Sequence, residues 1–320
     1  MIQTKICVVG VGRWGKNHIK TLQSLGVSTG CVETDIEKID AIKKLFPDLM
    51  CFSSIKDSFN ENFSGYIIAT PPSTHASIAS KIIPKKIPIL VEKPLALSHT
   101  DAIEIKSKLD KYKGKLIVGH LLLFHPGIKK IKTMIDDGKI GKIQYIYSNR
   151  LNLGTIRTNE NVFWSFAPHD ISLFQFFSKS FPSEVTSLGR DFLQKDIHDT
   201  TITYLKYPNG IQGHIYVSWL HPFKEHRLVI IGSKGSLHLE DSNISKPLLF
   251  YEKDDHDNND LLNPRNKTPK KIKYKYEMPL KSELKYFISI VKGKKIKKAN
   301  INEGIDVIRI LELASKSLRS

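Results

Sequence analysis

The chain has 320 residues, 40% of them hydrophobic, with 49 Lys and Arg against 32 Asp and Glu for a net charge of +17. That length exceeds one ordinary domain and suits two with ample cores, and three cysteines without paired spacing exclude a disulfide framework and a thiolate metal site. The longest apolar stretch, Leu116 to Phe124, is interrupted by His120 and is too short to span a bilayer; without a basic leader ahead of the first strand, a cytoplasmic chain with no membrane insertion is expected.

In chain order, Lys5 to Gly15 comes first: an apolar strand running into Gly-x-Gly-x-x-Gly, with Gly10, Gly12 and Gly15 at the spaced positions. The first glycine permits a tight turn, the second admits a pyrophosphate close to the main chain, and the third packs a helix on the strand. The N-terminus of that helix supplies unpaired N–H groups and a favourable dipole for phosphate. Arg13 and Trp14 stand in the turn as candidate cofactor neighbours, and Trp14 packs either beside the cofactor or simply on the helix. Ile19, Leu22 and Leu25 form the helical stripe, and Gly26 follows as a C-terminal cap.

A second strand ends at Glu33, eighteen residues beyond Gly15. A carboxylate there accepts from the adenosine ribose hydroxyls and repels a 2′-phosphate, favouring NAD over NADP. The alternative is that Glu33 only ends a strand before Asp35 caps the next helix. Gly65 to Thr70 forms another buried strand, so Thr70, Pro71 and His75 are expected to border the nucleotide. Ile89-Leu90-Val91 then leads into Glu92-Lys93-Pro94, which puts Glu92 and Lys93 at the mouth of the sheet as candidate cofactor contacts. Ser98 with Asp101 three residues on marks a capped helix, and Leu116 to Val118 supplies a last strand.

From Lys142 the pattern changes to long alternating strands at Ile143 to Tyr147, Thr200 to Tyr207, Ile211 to Leu220 and Leu228 to Ile231, read as an antiparallel sheet. Between them, Asn161 to Ser172 places His169 and Asp170 at what reads as the opening of an apolar helix. Imidazole suits the base that alcohol oxidation requires, and His169 is that candidate; the alternative is that His169 caps the helix and Asp170 accepts its N–H groups. Asp254 to Lys270 is a polar excursion. The basic clusters follow, Lys270 to Lys275, alternating from Lys271 to Tyr276 as an edge strand with a solvated lysine face, and Lys292 to Lys298 around a Gly293 turn. No nucleic-acid motif accompanies them, so they read as solubilising charge, with an anionic substrate as the second reading. Helices near Leu280 to Val291 and Ile301 to Leu318 end the chain. The twelve histidines are scattered, and no metal site is expected.

The glycine-rich start, Ala69 to His75 (Ala-Thr-Pro-Pro-x-x-His) and Val91 to Ala96 (Val-Glu-Lys-Pro-Leu-Ala) together resemble the Gfo/Idh/MocA oxidoreductases, as do Pro126 to Gly141, Ser218 to Leu220, Gly232 to Gly235 and Pro279-Leu280 with Glu283 and Phe287. The resemblance implies an α/β chain: a Rossmann NAD-binding domain over residues 1–120, then an α+β domain over 121–320 for substrate binding and oligomerisation. The second domain would carry a large, mainly antiparallel open sheet with helices on one side, often with a subunit interface on the other, which implies a homo-oligomer. Lys93 and His169 match the family's catalytic lysine and histidine. Many members have an aspartate four residues before that histidine; here Ser165 stands there, so no aspartate–histidine relay is carried over and polyol dehydrogenation is disfavoured. Arg150 to Gly154 and Trp164 to Asp170 resemble a branch acting on sugar nucleotides of surface polysaccharides, including UDP-N-acetylglucosaminuronate 3-dehydrogenases. Arg150, Arg157, Lys224 and Arg227 are then candidates for a diphosphate or uronate carboxylate, the favoured alternative for each being a plain surface or sheet residue, with Ser165 and Asp170 also near the substrate. The expected reaction is NAD-dependent oxidation of a sugar-ring hydroxyl. The alternatives are keto-sugar reduction, oxidation of inositol or a free sugar, or non-catalytic NAD binding.

Overall fold

The computed structural model describes residues 4–154, 156–158, 160–243, 245–253 and 268–318. The chain divides into two units, one comprising Met1–Phe124 with Glu277–Arg309, the other His125–Tyr276 with Ile310–Ser320. The sequence pattern places 277–309 with the second domain; in the structure these residues return to the first.

In the first unit six strands alternate with helices: β1 (Lys5–Val9), α1 (Arg13–Ser24), β2 (Ser28–Val32), α2 (Ile36–Leu45), β3 (Met50–Phe52), α3 (Ile55–Ser58), β4 (Gly65–Ile68), α4 (His75–Ile82), β5 (Ile89–Glu92), α5 (His99–Tyr112) and β6 (Leu116–Gly119). The strands pair in parallel in the order β3-β2-β1-β4-β5-β6. Their near-continuous apolar runs follow from burial on both faces. The expected caps are present: Asp35 accepts from Lys38 N at 3.3 Å and Ser98 Oγ from Asp101 N at 3.0 Å. Gly26 takes φ +71° just past α1.

The second unit opens with α6 (Pro126–Asp136) and β7 (Ile143–Leu153), followed by α7 (Val162–Ser178), β8 (Glu184–Arg190), β9 (Thr200–Lys206), β10 (Gln212–Ser218), β11 (Leu220–Gly232), β12 (Gly235–Glu240), β13 (Leu248–Glu252) and β14 (Lys270–Lys271). These eight strands form one sheet in the order β14-β13-β12-β11-β7-β10-β9-β8. Every pairing is antiparallel except β7 with β10. β8, β12 and β13 are strands the alternation pattern does not single out. α7 packs on β10, β7 and β9, where Ile146, Leu205, Ile215 and Val217 are buried. On the other face Leu188 lies opposite Ile202, both exposed. Of the basic edge, only Lys270–Lys271 pair as strand, and residues 254–267 of the polar excursion lie outside the described residues.

Two helices close the chain, α8 (Pro279–Val291) and α9 (Ile301–Ser317). The stripe Leu280, Leu284, Phe287 and Ile290 joins the first unit's core with Ile6, Val8, Ile19 and Leu22. An amphipathic stripe specifies that a helix must cover an apolar surface and leaves open which one, so the return of this segment is a tertiary outcome. Among the described residues no helix is long and apolar enough to cross a membrane.

Candidate active site

The turn after β1 is built by what its glycines exclude. Gly10 sits at φ +90°, and a Cβ there would lie 2.8 Å from Thr70 Cγ2 and 2.9 Å from the Ala69 carbonyl oxygen. A Cβ on Gly15 would come within 1.9 Å of the Gly10 carbonyl oxygen, so α1 rests directly on the turn. Gly12 differs: a Cβ there would meet nothing within 4 Å. Gly12 is the N-cap of α1, makes no side-chain cap hydrogen bond, and no acidic residue occupies the first turn. The helix therefore presents unsatisfied N–H groups beside open space, the arrangement a diphosphate needs.

A cavity of about 800 Å³ adjoins this turn, lined by Gly10, Gly12, Glu33, Thr70, Pro71 and Thr74 among others. Glu33 is oriented by main-chain donors: Oε2 accepts from Val11 N at 3.1 Å, and Oε1 from Thr34 N at 2.9 Å and Asp35 N at 3.2 Å. The residues thus fit a dinucleotide: the cavity would take the adenosine end and the α1 N-terminus at Gly12 the diphosphate. Glu33→Ala is expected to weaken NAD about tenfold through loss of a charged hydrogen-bond acceptor, measured by calorimetry; unchanged affinity would remove Glu33 from the site. Arg13 is exposed at the first position of α1, and Trp14 is 38% exposed beside it, its ring 6.4 Å from that of His18.

Two residues expected at the cofactor turn inward instead. His75 is buried, with Nδ1 2.8 Å from the Pro94 carbonyl and Nε2 2.9 Å from that of Thr70. Burial lowers its pKa against the pull of both carbonyls, and the ring braces the Thr70 loop against Lys93–Pro94. Glu92 Oε1 lies 2.6 Å from Nε2 of the fully buried His18, and its Oε2 accepts from Lys93 N at 3.3 Å. Glu92 holds the turn rather than facing solvent. Lys93 follows directly at the end of β5, half-buried, on the edge of the sheet where ligands of such folds lie.

In the second unit, the helix carrying His169 starts eight residues before Asp170. Asn161 is its N-cap, accepting from Trp164 N at 3.0 Å, so neither His169 nor Asp170 caps it. Pro168 lies inside α7, which deprives the Trp164 carbonyl of its donor one residue before His169. A proline followed by a polar pair resembles a helix start, and that signal misplaces the boundary. Ser165 and His169 stand four apart and so on one face of α7.

Asp170 and Arg150, both expected near substrate, are engaged with each other. Arg150 Nε donates to Oδ2 at 2.7 Å and its NH2 group to Oδ1 at 3.0 Å, a buried bidentate pair tying β7 to α7. Burial opposes the Arg150 charge, Asp170 outweighs it, and the guanidinium is held above its ordinary pKa. Arg227 lies 3.4 Å from Glu225 and 3.5 Å from Glu240, whereas Arg157 is half exposed with Glu160 at 3.7 Å. Of the arginines singled out, Arg157 keeps the most open guanidinium.

His18, His120 and Glu283 are buried ionisable groups to which the sequence assigns no role: His120 figures there only as a break in an apolar run and Glu283 only within the family resemblance. Each interrupts an otherwise apolar surface, His18 beside Ile19 and Leu22, Glu283 between Leu280 and Phe287, and that interruption is the available signal.

Comparison with known proteins agrees with this arrangement. The family model described as oxidoreductase family, NAD-binding Rossmann fold, matches residues 4–120, and that of the GFO/IDH/MocA C-terminal domain matches residues 128–238. The scyllo-inositol 2-dehydrogenase (NAD(+)) of Bacillus subtilis (strain 168) is 26% identical over 253 residues, 73% of each chain. In structure, UDP-N-acetylglucosamine 3-dehydrogenase GnnA from Acidithiobacillus ferrooxidans superposes with a TM-score of 0.87 at 18% identity over 99% of this chain and 98% of that one. The WlbA dehydrogenase from Bordetella pertussis, solved with NADH and UDP-GlcNAcA, gives a TM-score of 0.80 at 19% identity over 98% and 96%. With two family models covering most of its length, the chain belongs to the Gfo/Idh/MocA family of oxidoreductases and binds NAD in its Rossmann domain.

Proposed function

We propose that the chain oxidises a ring CH–OH of a nucleotide-linked sugar to a ketone, at C3 of a UDP-amino-sugar uronate, with Lys93 and His169 as its catalytic residues. The observation that carries this reading is the position of Lys93, immediately beyond β5 on the sheet edge that bears the dinucleotide cavity. Bound NAD supplies the hydride acceptor. Lys93 donates a hydrogen bond to the reacting oxygen as alkoxide character develops, and His169 takes the hydroxyl proton. The carbon loses hydride and the oxygen loses a proton, so the C–O single bond becomes a carbonyl.

The choice of substrate is supported by GnnA and by WlbA with its UDP-GlcNAcA, both matching nearly the whole chain in fold. Ser165 in place of the family's aspartate weighs against a polyol, and the net charge of +17 suits an anionic substrate. A homo-oligomer formed across the sheet face bearing Leu188 and Ile202 belongs to the same proposal. The second reading, inositol oxidation, is favoured by the sequence relative from Bacillus subtilis.

The test is a substrate panel with NAD: UDP-GlcNAcA, UDP-GlcNAc and scyllo-inositol, each with and without a 2-oxo acid to reoxidise retained NADH. A nucleotide sugar is expected to exceed inositol in kcat/KM by at least about tenfold. A preference for inositol would overturn the substrate and leave the NAD oxidoreductase standing.

A further inference from the structure

Four segments of the first unit carry ionisable side chains here, and α8 packs on α1 and on the Leu121–Phe124 turn that follows β6. α1 supplies His18, β5 supplies Glu92, His120 follows β6, and α8 supplies Glu283. Glu92 pairs with His18 at 2.6 Å and packs on Gly119, where a Cβ would lie 3.1 Å from its Oε2. His18, His120 and Glu283 are at most 1% exposed. Nδ1 of His18, both ring nitrogens of His120 and both carboxylate oxygens of Glu283 have no hydrogen-bond partner among the described residues. Buried polar atoms of this kind are met by ordered water in folded proteins. A carboxylate without donors, close to a second carboxylate, retains its proton.

We infer that Glu283 is a positioning residue for Lys93: as an uncharged acid, buried without donors on a helix that packs on α1 and on the Leu121–Phe124 turn after His120, it supports Glu92, whose Oε2 accepts from Lys93 N. Burial drives the Glu283 pKa well above the carboxylate range, the Glu92 charge adds to this, and Lys298 opposes it. Burial likewise pushes His120 down to about 4, with Glu92 raising and Lys93 lowering it, so the ring is neutral near pH 7. The charges acting on Glu283 are thus Glu92 from β5 and Lys298 ahead of α9. This role rests on Lys93 as the donor to the reacting oxygen.

Two variants of the full chain test it. Unfolding of the native chain is compared with Glu283→Gln, which keeps shape and neutrality. An acid with a raised folded pKa stabilises the fold below its unfolded pKa and loses that contribution as pH rises. The native unfolding constant is therefore expected to rise relative to the variant's by roughly tenfold per pH unit above about 4.3, until folded Glu283 ionises. A ratio that does not move with pH overturns the uncharged acid. In turnover, Glu283→Leu is expected to lower kcat about tenfold through misplacement of Lys93, with KM for NAD unchanged and the Lys93 limb of the pH–rate profile displaced. Glu283→Gln restores both kcat and the limb. Native kcat and pH limb in Glu283→Leu, or a displaced limb in Glu283→Gln, overturns the positioning role. If Lys93→Met keeps native turnover, the proposed function falls instead, and the unfolding ratio still reports on Glu283.

Discussion

Lys93→Met is expected to lower kcat by about 10² to 10³, the cost of removing one preorganised donor from a developing oxyanion, with the dissociation constant for NAD unchanged. Methionine keeps length and apolar stem while deleting the ammonium. The main-chain contacts of the turn, Glu92 Oε2 with Lys93 N and His75 with the Pro94 carbonyl, do not depend on that side chain. His169→Ala is expected to cost about 10² to 10⁴ by loss of the base, and the double variant less than the product of the two, because donor and base serve one transition state. Steady-state rates with a reduced-cofactor readout, beside calorimetric NAD titration, check all three. Native rates in both single variants would remove these residues from the chemistry.

The second large effect separates two glycines that a motif treats alike. Gly15→Ala drives a Cβ into the Gly10 carbonyl oxygen, where both partners are backbone and neither has a rotamer to change. The turn must shift, and NAD affinity is expected to fall about a hundredfold or more, close to 3 kcal/mol, with a lowered Tm. Gly12→Ala has no such conflict: φ is −63°, which any residue adopts, and beyond its chain neighbours nothing lies within 4 Å of the new methyl. Its Tm is expected to match the native chain, while NAD affinity falls at least about tenfold because the methyl takes the space the diphosphate needs. Thermal unfolding and NAD titration of the two variants distinguish them. A Gly12→Ala chain that binds NAD normally would move the diphosphate off the α1 N-terminus.

The Rossmann unit is legible in sequence because each of its signals is local. The Gly10-Gly12-Gly15 turn, Asp35 and Ser98 as caps, and the apolar parallel strands each depend on residues a few positions apart, and Glu33 is found by a fixed spacing from Gly15 just past β2. What escapes sequence reading depends on partners distant in the chain. Arg150 finds Asp170 across β7 and α7, which engages both with each other, and no spacing rule ties those two positions. His75 reads as a nucleotide contact from its place after Thr70-Pro71, yet the Pro94 carbonyl, nineteen residues on, draws it inward. α8 carries a stripe that fits either sheet, and the first unit's core receives it. The parallel pairing of β7 with β10 is equally hidden, since alternation records burial and not strand direction.

Hydride transfer from a sugar carbon to NAD is the central claim, and isotopic labelling follows it directly. The native chain is mixed with NAD and UDP-GlcNAcA carrying deuterium at C3, and the cofactor and sugar are analysed by NMR and mass spectrometry. Deuterium at C4 of the reduced nicotinamide, with a 3-keto sugar formed in equal amount, is the predicted result. Unlabelled cofactor that remains oxidised, with NAD and the sugar nucleotide both bound, would contradict it.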